Sequence, residues 1–180
     1  MNLYSSSRKK VRGAKRKCRA MVNSINELTS IFPEVNMERG YWHMHLPVRQ
    51  EFIDTIKTPS KARKFCIQAL IDRAKHLIDN KPDAAVSTRV VACISLPNLF
   101  DSQIIVFFGA SYFESFFNRD TDDQKWIPLP PNRSVSREFN LEIPMGLTEK
   151  GFREELVDED FRSTSELWFV GELSPSFVIP

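Results

Sequence analysis

Two apolar runs dominate the pattern of the chain. RVVACISL and QIIVFF, within residues 89–108, flank the polar break PNLFDS. In the first run Val90, Ala92, Ile94 and Leu96 share one face of an extended chain, with Val91, Cys93 and Ser95 on the other, because successive strand side chains point to opposite sides. The second run has no polar face after Gln103, which predicts burial on both sides in the middle of a sheet. Pro97, Asn98, Asp101 and Ser102 supply the turn chemistry between them. The stretch reads as an antiparallel hairpin that the rest of the chain has to cover.

Helical spacing appears on either side of the first strand-like stretch. Ala14, Cys18, Met21, Val22, Ile25, Leu28 and Phe32 fall three or four residues apart, with Pro33 as the stop. Thr58-Pro59-Ser60 is a helix start, with a hydroxyl at the cap and proline at the first helical position. The helix that follows predicts burial of Ala62, Phe65, Cys66, Ala69, Leu70, Leu77 and Ile78, and Asn80 and Pro82 end it. Shorter helices are expected over 49–56 and 111–117. YWHMHLPV alternates as a strand and stops at Pro47. KWIPLPPNR carries three prolines, so a strand at 125–129 has to be short or at an edge. REFNLEIP predicts a strand bearing Phe139, Leu141 and Ile143, and MGLTEKG a loop. FREELVDED and SELWFVGEL predict a second hairpin, with Trp168 and Val170 on one face and Leu167 and Phe169 on the other. Together these give one α+β domain over residues 20–180. A mostly antiparallel sheet is covered on one side by two main helices, near 18–31 and 58–79, and a basic N-terminal arm over 1–19 precedes it. Strand order is not legible at this level.

Charge changes the picture more than composition does. The net charge of +2 hides an asymmetry: Arg8, Lys9, Lys10, Arg12, Lys15, Arg16, Lys17 and Arg19 are eight cations without an acid among them. Taking those eight from the 25 bases leaves 17 against 23 acids, a mildly acidic body behind a basic arm. A run of like charge is solvated in its simplest reading. Its functional readings are contact with nucleic-acid phosphates through counterion release, or docking to an acidic protein. The arm has no interleaved aromatics, which argues against base stacking on single strands.

His43 and His45 share one face of the predicted first strand, and His-x-His on a strand can offer two imidazoles to one metal ion. Such a site needs further ligands, and His76, the only other histidine, lies in a predicted helix. Two half-buried histidines on a sheet face are the simpler reading. Cys18, Cys66 and Cys93 are odd in number and widely spaced, which fits reduced thiols in a cytoplasm rather than a disulfide framework or a zinc site. Cys66 and Cys93 read as small core residues. Asp120, Asp122 and Asp123 lack the glycine and the distal glutamate of a calcium loop. Glycine-rich phosphate loops, GxSxG, CxxC and HExxH are all absent. No apolar run approaches the about 18 to 20 residues of a membrane helix, and the basic N-terminus does not read as a secretory signal. No cofactor is indicated, and a membrane partner is not expected.

YWHMHLPV, SLPNLFDSQIIVFFGASYFESFFNR, KWIPL and ELWFVGEL resemble a family of small uncharacterised bacterial proteins over roughly residues 38–173. The resemblance carries no assigned activity and no catalytic residues. Small proteins of this kind are compared with immunity proteins, which bind a basic nuclease face electrostatically. The expectation from the whole sequence is a non-enzymatic cytoplasmic protein-interaction module, of immunity type in its sharpest form and with another protein as partner. The alternatives are nucleic-acid binding through the arm over 8–19, and an enzyme or metal site centred on His43 and His45.

Overall fold

A computed structural model describes residues 13–46, 60–96, 99, 101–109, 124–157 and 162–173. Helix α1 spans Ala14–Leu28, strand β1 Tyr41–His45 and helix α2 Ser60–Asp79. After a 3-10 turn at Asp83–Ala85 come β2 (Arg89–Leu96), β3 (Gln103–Phe107), β4 (Gln124–Pro128), the short helix α3 (Val135–Phe139), β5 (Thr148–Val157) and β6 (Arg162–Gly171). The six strands form one sheet in the order β1-β3-β2-β6-β5-β4, with every pairing antiparallel. The two predicted hairpins are there, and β2 and β6 join them at the centre.

The alternation within each strand sorts its side chains between two cores. Val90, Ala92, Ile94, Leu96, Ile104, Val106, Trp168 and Val170 face the helices and pack with Met21 and Ile25 of α1 and with Ile67, Leu70 and Leu77 of α2. Val91, Cys93, Ile105, Phe107, Phe152 and Phe169 form a smaller buried cluster on the other face. Both faces of β2 are therefore buried, as they are for β3. Burial on both faces is what a central strand without a polar side requires. β4 lies at the sheet edge, where Pro128 leaves no ladder unsatisfied.

The two long helices run side by side in the same direction. The Cys18 thiol meets the Cys66 thiol near their starts, and Thr29 meets Arg73 further along. Arg73 closes the end of α1: its Nε donates to Thr29 Oγ1 at 3.0 Å, and one terminal nitrogen donates to the carbonyls of Asn26 and Thr29 at 3.2 Å each. Carbonyls at a helix C-terminus lack intrahelical partners, and a cation there is also favoured by the helix dipole. Arg73→Ala is expected to destabilise the fold by about 1–2 kcal/mol. In urea this appears as a lower midpoint with an unchanged slope. A second tie joins the segment just after α2 to the sheet: Lys81 Nζ lies 2.7 Å from Glu172 Oε2 and donates to the Thr88 carbonyl at 2.9 Å, while Val90 N–H donates to the same carboxylate oxygen at 3.0 Å.

Several expectations are corrected. α1 ends at Leu28, before Pro33, and Leu28 is 60% exposed rather than part of the stripe; Phe32 packs on the core from beyond the helix. Phe65 is 46% exposed, because the inward arc of α2 is centred on Cys66, Ile67, Leu70, Ile71, Ala74 and Leu77. MGLTEKG is not wholly a loop, since β5 already begins at Thr148 and pairs with Gly171. REFNLEIP is not a strand. Ser134 caps α3 by accepting from Arg137 N–H at 3.2 Å, and Asn140 ends it in the left-handed conformation at φ 50°. Beyond that cap, the N–H and C=O of Glu142 bond to the Gln68 amide at 2.9 and 2.8 Å instead of to a neighbouring strand. The expected helices at 49–56 and 111–117, the Thr58-Pro59 start, the loop carrying Asp120, Asp122 and Asp123, and residues 1–12 lie outside the described residues.

Candidate functional site

The sequence pointed to two sites, and the structure places them apart. β1 sets His43 and His45 on one face at the sheet edge, opposite Ile105 and Gln103, with ring centroids 5.1 Å apart and edge to face. Tyr41 stands beside His43 at 5.6 Å. Both histidines are exposed. Partial burial, and secondarily the charge on His45, push His43 below the usual histidine range. His43 also borders an open cleft of about 880 Å³ with Trp42 and the 33–39 loop. No group of three or more His, Cys, Asp or Glu side chains able to hold a metal ion occurs among the described residues. His76 lies on α2, where its ring stands 3.3 Å from the Asn80 amide.

Of the arm cations, Arg8, Lys9, Lys10 and Arg12 lie outside the described residues. Lys15, Arg16, Lys17 and Arg19 occupy the first turns of α1, around the inward-facing Cys18. The structure adds what the sequence did not: α2 begins beside them, and its first turns carry Lys61, Arg63 and Lys64 with no acid. Acids favour a helix N-terminus and cations oppose it. Two parallel helices that both start on cations are therefore working against their own dipoles. Among the described residues Lys15, Arg16, Arg19, Lys61 and Lys64 have no ion-pair partner, whereas four of the acids do. Glu172 holds Lys81, Asp79 holds Lys75, and Glu138 and Glu166 both hold Arg133.

The three cysteines lie in the cores. All three are buried, and none is in a disulfide. Burial pushes the thiols of both Cys18 and Cys66 up, which disfavours the thiolate.

A third constellation was missed. At the open end of the helix-facing core, a cavity of about 410 Å³ lies between α2, α3 and the sheet. Arg63 of α2 stands over the Phe139 ring, its guanidinium carbon 5.4 Å from the centroid. Its Nε is buried and makes no hydrogen bond. Arg133, just before α3, is gripped by Glu166 through both terminal nitrogens and reaches Glu138 at 3.1 Å, which hold it even more firmly charged than usual. Arg153 stands directly across from Glu166 in the β5–β6 register, and Leu96 flanks Glu166 on the other side. α3 itself is pinned by Glu149, whose carboxylate accepts from the hydroxyls of Ser134 and Ser136 and from Ser136 N–H. A sequence signal did exist: Glu166 and Arg153 sit at strand positions in phase with Trp168 and Gly151, on the core-facing side, where an apolar residue is expected.

Residues 22–172 match a family described as a protein of unknown function (DUF3916). The chain belongs to this family. The match reaches further towards the N-terminus than the resemblance over 38–173 and takes in the second half of α1, β1 and the whole arginine cavity, while the cations at 8–19 lie outside it. Searches of curated proteins and of solved structures return no match. No helix among the described residues is long and apolar enough to cross a membrane.

Proposed function

We propose that this DUF3916 protein is a non-enzymatic interaction module that holds a polyanion on the shared N-terminal end of its two long helices. One observation carries the reading: the first turns of both helices carry no acid, and their Lys15, Arg16, Arg19, Lys61 and Lys64 have no ion-pair partner among the described residues. This charge favours an anionic partner over the basic partner of the immunity-type reading. Nucleic-acid phosphate is the best chemical match, because helix N–H groups and Lys/Arg side chains both favour it. The arm cations at 8, 9, 10 and 12 precede α1 in the chain and extend the same charge. A cytoplasmic location fits such a partner and three cysteines without a disulfide.

The test compares a generic DNA duplex with poly-glutamate, the second standing for an acidic protein. Duplex binding is expected to fall steeply with salt. Replacing Lys15, Arg16, Arg19, Lys61 and Lys64 by Gln is expected to weaken it at least about tenfold and to flatten the salt slope by nearly one unit per lost phosphate contact. Lys75→Gln, which removes a cation already paired with Asp79, should leave it unchanged. Preference for poly-glutamate would favour the acidic-protein partner. Duplex affinity indifferent to the five substitutions defeats the proposal.

A further inference from the structure

We propose that the arginine cavity binds a small organic anion, a carboxylate or phosphate head attached to a flat apolar body. The volume of about 410 Å³ lies within the range of small-molecule pockets. Three guanidinium groups reach it from three separate elements, against two carboxylates, which leaves one positive charge without a counterpart. The three arginines are not equivalent. Arg133 is saturated by Glu166 and Glu138 and serves as a fixed wall. Arg63 and Arg153 have no hydrogen-bond or ion-pair partner among the described residues, and the Arg63 Nε is sealed from water as well. A guanidinium presents a planar fork of donors that fits a carboxylate or phosphate bidentately. Phe139 already stacks under Arg63 and, with Leu96, gives the cavity an apolar wall. That combination of two free forks and an apolar wall selects a head-and-body ligand over a bare inorganic ion.

The full chain is titrated by calorimetry and NMR with phenyl phosphate, benzoate and inorganic phosphate. Phenyl phosphate or benzoate is expected to bind saturably, at least tenfold tighter than inorganic phosphate, and the tighter of the two identifies the head group. Arg63→Gln and Arg153→Gln should each weaken that binding at least tenfold. Arg63→Lys should restore only part of it, because an ammonium keeps the charge and loses the fork. Replacing the cations at 8–19 should leave it unchanged, which separates this site from the polyanion surface. Arg153 is exposed, so Arg153→Gln decides the matter even where Arg63→Gln fails to fold. Lack of saturable binding by all three probes at millimolar concentration overturns the proposal. So does an affinity that Arg153→Gln does not change. Equal affinity for inorganic phosphate and phenyl phosphate overturns the apolar half of it.

Discussion

Gly171→Val is expected to destabilise the protein by about 3 kcal/mol or more, lowering the thermal midpoint by roughly 6 to 12 °C for a chain of this size. Gly171 lies at the end of β6, in register with Val91 of β2 on one side and Thr148 of β5 on the other. A β-carbon there would stand 2.3 Å from the Val90 carbonyl oxygen and 2.8 Å from the Val91 α-carbon. Both are backbone atoms of the central strand, so no side chain can turn away to make room. The next residue, Glu172, holds Val90 N–H and Lys81, and any shift of β6 also pulls on that tie. A thermal melt decides the point: a loss of less than about 1 kcal/mol would mean that the strands can separate there without cost, which the packing contradicts.

The second large effect is at Trp168, which is 1% exposed and faces Ile94 on one neighbouring strand and Gly151 on the other. Its six-membered ring lies flat on Gly151: a β-carbon at that glycine would come within 2.6 to 2.7 Å of three ring atoms. The indole N–H is buried without a hydrogen-bond partner, so packing alone holds the ring. Trp168→Ala is expected to cost about 3–5 kcal/mol from lost burial and the cavity left behind. Gly151→Ala is expected to cost about 1–3 kcal/mol by overpacking. The two positions share one space, so they should not add. In a Trp168→Leu background Gly151→Ala should cost clearly less than in the parent protein. Additive losses in urea melts would show that the ring and the glycine do not compete for that space.

These positions mark how far the sequence reaches. The β2–β3 and β5–β6 pairs, the faces of Val90 and Val91, and the edge placement of the proline-bearing strand were all legible. Each is written in a period of two or in a residue that cannot join a ladder. The α2 helix was legible for a similar reason, yet the exposure of Phe65 was not. An apolar side chain at the margin of a stripe is compatible with either state until the partner surface is known. α3 failed for a sharper reason. Phe139, Leu141 and Ile143 do alternate and do pack inward, but Ser134 caps a helical turn and Gln68, some 74 residues away in the chain, takes up the backbone bonds of Glu142.

The candidate sites divide in the same way. By itself the sequence determined the run of cations at 8–19 and the shared face of His43 and His45, because these are neighbours along the chain. Tertiary structure alone decided that the start of α2, which carries Lys61 and Lys64, lies beside the first turns of α1, since only the parallel packing of the two helices brings them together. It alone gathered Arg63, Arg133, Arg153 and Glu166 around one cavity. No local period relates those four positions. What joins them is the folding of a short capped helix against the open end of a sheet, and contacts at that sequence separation are set by how the layers pack rather than by the residues adjacent to each.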